Sequence, residues 1–197
     1  MTYPDAVRAL ATGAFIPAIT ALHGHLSSSP VDGYAWMYLG IAYSETGFQA
    51  ESLRALERAR LIMDDGAELD EAFGCTFLRM GDYETAEIYF GSATRHADCP
   101  ASVYRNLSML FLATRRLQAA LGAIDTALEM DSDDILSLYG KVIILKQIET
   151  ATGKDLTVEV TAVLDDILRR QHVPPEIRRQ AESLRDELED SRVAGER

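Results

Sequence analysis

Four histidines, two cysteines and one dense acidic turn are the residues of this chain best suited to chemistry, and their spacing withholds most of it. His23, His25, His96 and His172 form neither the HxxxH nor the HExxH pattern that sets two ligands on one helix face. Cys75 and Cys99 stand 24 residues apart without a CxxC or a partner histidine motif, so neither a zinc site nor a disulfide framework is indicated. A cysteine nucleophile needs a lowered thiol pKa, and Glu71, one helical turn before Cys75, acts in the opposite direction. Asp131-Ser132-Asp133-Asp134 begins like a calcium loop but lacks its central glycine and distal glutamate. No glycine-rich phosphate loop is present. The expectation is a protein that is not an enzyme and that takes no cofactor and no metal.

Composition narrows the classes further. The chain has 197 residues, 47% hydrophobic and 25% charged, which is ample apolar material for a folded core without staples. A net charge of −12 argues against nucleic acid and anionic lipid, both of which require clustered Lys and Arg. The acidic clusters at 64–71, 131–134 and 186–190 read as solvated turns and helix starts, with a basic partner as the alternative. No basic region followed by an apolar run opens the sequence, and Val142 to Leu145 is far too short to span a bilayer. These features predict a cytoplasmic protein with no membrane insertion.

The elements that must position any site follow from a repeat. Gly13, Gly47 and Gly81 are spaced 34 residues apart, and their neighbours recur with them. Small residues fall at Ala6, Gly40, Gly74 and Ser108, and again at Ala18, Ser52, Ala86 and Ala120. Bulky apolar residues fall at Leu22, Leu56, Phe90 and Ile124, with alanine at Ala59, Ala93 and Ala127. Within each copy the apolar residues keep helical spacing on both sides of the glycine, as in Trp36, Leu39, Gly40 and Tyr43. The pattern predicts helix pairs over 5–12 and 16–28, 34–46 and 49–63, 67–80 and 83–96, and 101–114 and 117–130. Glycine supplies the positive φ that ends each first helix. Gly40, Gly74, Ala86, Ala93, Ala120 and Ala127 are candidate holes where paired helices cross closely, and Tyr43, Phe77, Phe90 and Phe111 are candidate knobs.

These residues resemble the tetratricopeptide repeat family, whose pattern is Trp, Leu, Gly and Tyr in a first helix, a turn Gly, then Ala, Phe and Ala in a second. Trp36, Leu39, Gly40, Tyr43, Gly47, Leu56 and Ala59 carry the second copy, with Ser52 in place of Ala. Phe73, Gly74, Phe77, Gly81, Tyr83, Ala86, Phe90 and Ala93 carry the third, with Asp70 where Trp is usual. Tyr104, Leu107, Ser108, Phe111, Leu117, Ala120 and Ala127 carry the fourth, where Arg115 replaces the turn glycine. The first copy keeps Gly13, Phe15, Ala18, Leu22 and Pro30, with His25 at a usually small position. The resemblance implies an all-α, right-handed α-solenoid of antiparallel helix pairs at 1–30, 31–64, 65–98 and 99–132. After Asp134 the beat decays into a degenerate fifth pair over 133–172, its turn at Gly153 displaced by four residues. Pro174-Pro175 then opens an amphipathic last helix within 173–197, with Ile177, Ala181, Leu184 and Leu188 on one side. It reads as a cap on the solenoid core, with pairing to a second chain, a homo-dimer, as the alternative.

The resemblance also implies a site. First helices of such pairs line a concave groove that holds a segment of another protein. By register those positions are Tyr34, Met37, Ile41, Ser44 and Glu45, then Glu68, Glu71, Cys75, Leu78 and Arg79. The fourth copy adds Ser102, Arg105, Asn106, Met109, Leu112 and Ala113, and the degenerate pair adds Leu136, Tyr139, Ile143 and Lys146. Met37, Ile41, Leu78, Met109, Leu112, Tyr139 and Ile143 would form an apolar floor, suited to an apolar or amphipathic segment. Alternatively some of them are core, or are covered by the chain's own end. The clamp that grips acidic chaperone tails is absent, because Glu71 and Cys75 stand where Lys and Asn are needed. Size, acidity and groove character are similar to those of type III secretion chaperones. The expected function is a protein-binding adaptor for a protein or peptide ligand, and the alternative is a self-assembling scaffold.

Overall fold

The computed structural model describes residues 2–195, with side chains to residue 190. Eleven helices make up the regular structure of the described residues, which contain no strand. They are α1 (Tyr3–Ala11), α2 (Phe15–Ser28), α3 (Gly33–Glu45), α4 (Gln49–Arg60), α5 (Ala67–Met80) and α6 (Tyr83–Ala93). There follow α7 (Ala101–Ala113), α8 (Leu117–Met130), α9 (Ile135–Thr152), α10 (Thr157–Arg169) and α11 (Pro175–Gly195). Two compact units result, Met1–Val103 and Tyr104–Arg197, and the division falls inside α7.

The turns follow from backbone sterics. Gly13, Gly47 and Gly81 have φ of 74°, 85° and 78°, a left-handed conformation that only glycine enters without penalty. Arg115 takes the same conformation at φ 59°, so the turn persists without its glycine. One backbone bond recurs on the 34-residue beat. The N–H after each turn residue donates back to the last stretch of the first helix, from Ala14 to Ala9, Phe48 to Tyr43, Asp82 to Phe77 and Arg116 to Phe111, at 2.8–3.0 Å. Thr12, Thr46 and Thr114 add a second recurrence, each hydroxyl donating to the carbonyl four residues earlier. Asp32, Asp82 and Asp134 cap α3, α6 and α9 by accepting backbone N–H groups of Ala35, Thr85 and Leu136. In α9 the helix runs to Thr152 before Gly153 ends it at φ 69°. That added helical turn is the four-residue displacement seen in the sequence. Helices α4 and α6 close three residues before their predicted ends.

Close helix crossing organises the first unit. A Cβ built on Gly40 would lie 2.6 Å from Leu56 Cγ, and one on Gly74 would lie 2.6 Å from Phe90 Cε1. Leu56 and Phe90 are fully buried, so each bulky side chain of a second helix occupies the hole of its own first helix. Phe90 is the knob the sequence names, whereas Leu56 takes that role in the second copy and Tyr43 stays half-buried. Beside this crossing Tyr89 stacks on Phe73 and Phe77 at centroid separations of 4.9 and 5.5 Å, and Arg60 covers Phe73 at 4.8 Å. Ser52, which replaces the usual alanine, is fully buried and lies 3.0 Å from Thr76 Oγ1. Thr76 in turn donates to the Ala72 carbonyl, so the substituted hydroxyl is satisfied across α4 and α5. In the second unit Val142, Ile144, Val160, Leu164 and Ile167 join α9 and α10 in one core. Ile177, Leu184 and Leu188 pack against that core, and Ala181 is buried in it.

Gly74→Ala should lower stability by about 1–3 kcal/mol, because the buried Phe90 ring must move to admit the methyl. Gly91→Ala on α6, where nothing lies within 4 Å, should raise it by about 0.5–1 kcal/mol. Urea denaturation midpoints of the two variants moving the same way would contradict the packing account. Arg115→Gly should raise the midpoint by relieving left-handed strain of about 1 kcal/mol.

Candidate functional site

Helices α3 and α5 bring several expected groove residues together in the first unit. A slot of about 300 Å³ lies between them. Met37, Ile41 and Glu45 line it from α3, and Glu71 and Cys75 from α5, with Ser44 and Glu68 beside them. Tyr38 and Ala72 complete the wall. Neither was expected, although Tyr38 stands three residues before Ile41 and four after Tyr34, the spacing of one helix face. Tyr34 is exposed, and Leu78 is half-buried.

Met37 departs from the expected floor. It is 1% exposed and packs with Leu56, Leu69 and Phe73 in the core under α3, so only its edge borders the slot. Its face is shared between core and groove, a distinction that helical periodicity cannot draw. Ser44 is a second departure. It is 3% exposed, and its Oγ has no hydrogen-bond partner.

Charge is arranged unevenly along the slot. Glu45 at one end is ion-paired with Arg79, one repeat later. Glu71 accepts a hydrogen bond from Ser102 Oγ at 2.9 Å. Glu68 is exposed and carries no cationic partner among the described residues. Burial first, and then the Glu68 carboxylate, push the Tyr38 phenol above its ordinary pKa. Cys99 has a raised thiol pKa from burial and then from Glu71 and Asp98, the direction that suppresses nucleophilicity.

The remaining expected positions lie in the second unit. Arg105 on α7 is ion-paired with Asp134, the N-cap of α9. Met109 is 43% exposed, whereas Leu112 and Tyr139 pack partly against the unit's core. Asn106 and Ile143 are half-buried. Burial pushes the Asp134 carboxyl up, but hydrogen bonds from Ser137 and the Arg105 charge outweigh it and hold the pKa below the ordinary carboxylate value.

Three of the four histidines are placed as structural partners. His25 lies 2.8 Å from Asp32 and stacks on Tyr3, His96 lies 3.3 Å from Asp70, and His23 lies 2.6 Å from the Tyr43 hydroxyl. No group of three or more His, Cys, Asp or Glu among the described residues is arranged to hold a metal ion. No helix of the described residues is long and apolar enough to cross a membrane.

Comparison with known proteins agrees with this architecture. Residues 71–135 match the family model for the tetratricopeptide repeat. Over that span the chain carries tetratricopeptide repeats. No curated protein matches the sequence. Among solved structures, the tetratricopeptide protein TTC0263 of Thermus thermophilus is 22% identical with a TM-score of 0.64, over 72% of this chain and 78% of its own. PilF of Pseudomonas aeruginosa is 14% identical with a TM-score of 0.71, over 96% of this chain and 86% of its own. YrrB, described as a tetratricopeptide protein with an unusual peptide-binding site, is 14% identical with a TM-score of 0.57, over 92% of this chain and 90% of its own. Likeness at this level shows the fold alone, an all-α tetratricopeptide-like arrangement of helix pairs.

Asp134 makes stability depend on pH in a defined window. Its folded pKa lies below its unfolded one, so its contribution is complete above the unfolded value near 3.8 and is lost as pH falls through the folded value. Asp134→Asn keeps a capping oxygen but removes the charge. It should cost about 1–3 kcal/mol at neutral pH, with the difference from wild type vanishing once the pH lies below the folded value. A difference independent of pH in denaturation curves would contradict the ion-pair account.

Proposed function

We propose that this tetratricopeptide repeat protein is a non-enzymatic adaptor that binds a segment of a partner protein on the first-helix faces of its repeats. The observation that carries the reading is the slot between α3 and α5, where Ile41, Ala72 and the edge of Met37 form an apolar base under polar walls. A concave apolar surface with a few placed polar groups is the usual form of a binding site. Met109, exposed on the first helix of a later pair, is a further adaptable apolar residue of the same kind. The engagement of His23, His25 and His96 with structural partners and the raised thiol pKa of Cys99 support the non-enzymatic reading. The apolar stripe of α11 packs on its own unit's core, which favours capping over self-assembly.

Affinity capture with the full chain and with Ile41→Glu and Met109→Glu tests the adaptor reading. Partners recovered by wild type should be lost or at least tenfold reduced with a charge at Ile41 on the slot's base, or at Met109 on the first helix of its own unit, about the 1.4 kcal/mol that separates decades of affinity. Equal recovery of every partner by all three proteins would overturn it. Light scattering that shows the full chain assembling, while a chain ending at residue 174 stays a folded monomer, would favour a scaffold instead.

A further inference from the structure

The slot between α3 and α5 is unequal at its two ends, and that inequality selects an occupant. Its lining includes three glutamates and no Lys or Arg. At the end near Ser44, Glu45 is neutralised by Arg79. At the other end Glu68 has no cationic partner among the described residues and lies close enough to Tyr38 to raise its phenol pKa. Between them Ile41, Ala72 and the edge of Met37 form an apolar base, and Glu71, which accepts a hydrogen bond from Ser102, stands on the α5 side. Long cationic side chains combine an aliphatic stem with a charged head, the pairing that an oily base ending in a carboxylate accommodates.

The slot runs along α3 from Met37 to Ser44, seven residues or about 10 Å at the helical rise. About three residues of extended chain span that length.

We propose that the slot binds a short extended protein segment carrying a lysine or arginine, with the cation set at Glu68 and the stem over Ile41 and Ala72. The inference rests on the adaptor reading and names the chemistry of its occupant. The acidic surface elsewhere, with a net charge of −12, favours encounter with such a segment.

The test uses the full chain labelled with nitrogen-15 and two peptides, acetyl-Ala-Leu-Lys-Leu-Ala-amide and its counterpart with norleucine in place of lysine. The lysine peptide should shift the backbone amides of 41–45 and 68–75 saturably and bind about fivefold more tightly than the norleucine peptide, as a partly exposed charge pair allows. Glu68→Gln and raised salt should each close that gap. Equal or tighter binding of the norleucine peptide in the slot overturns the cationic occupant while leaving the adaptor reading standing. Absence of shifts with either peptide, or a lysine preference that survives Glu68→Gln, overturns it as well. Binding of both peptides away from the first helices would count against the adaptor reading too.

Discussion

The contact between Phe90 and the bare backbone of Gly74, repeated by Leu56 at Gly40, is the constraint on which the first unit depends. A side chain on the first helix would hold the second away, so the small residue is selected by distance, not by helix propensity, which disfavours it. Once the helices cross this closely, the left-handed turn between them has to be short, and the returning N–H finds the same acceptor in every copy. The neighbouring side chains then have little freedom. Tyr89 stacks on Phe73 and Phe77, and Arg60 covers Phe73, beside the buried ring of Phe90.

The same constraint decides which residues remain for function. A first helix touches its own partner on one face and the next first helix on another, so only a narrow strip is left. Met37 lies at the boundary of that strip, which is why a residue placed in the groove by register is almost wholly buried. Ser44 lies at the same boundary, but it carries a hydroxyl into packing that gives it no partner. Identical geometry therefore yields a conventional core residue at one position and an unsatisfied polar group at another.

Much of the fold was legible in the sequence because a strict repeat turns distant positions into local ones. Glu45 and Arg79 differ by one period, so their ion pair connects equivalent places on adjacent first helices. The turn at Arg115 was legible for the same reason, since the register placed it there, whereas its positive φ was not evident from the residue type. Off the beat, legibility falls. Ser52 with Thr76, and Ser102 with Glu71, are 24 and 31 residues apart and depend on how neighbouring copies are offset. Phase alone ranked Leu78 with Ile41, although only Ile41 lines the slot. It also missed Tyr38, which the consensus assigns no groove role. The apolar character of the groove was visible in the residue types. Its asymmetry was not, because Glu45 and Glu68 look alike until one of them is seen to have an arginine.

That asymmetry bears on how a repeat protein acquires specificity. Uniform repeats would present the same surface at each copy and hold a ligand in several registers with similar affinity. Here Arg79 removes the charge of Glu45 at one end, while Glu68 keeps its charge at the other. A bound segment therefore gains in one direction and loses in the reverse, where its cation would face a neutralised pair. Discrimination of this kind comes from the difference between two orientations and does not require tight binding in either. It also costs the fold little, since Glu45, Arg79 and Glu68 all lie at the surface and none of them is needed to close the crossing at Gly74.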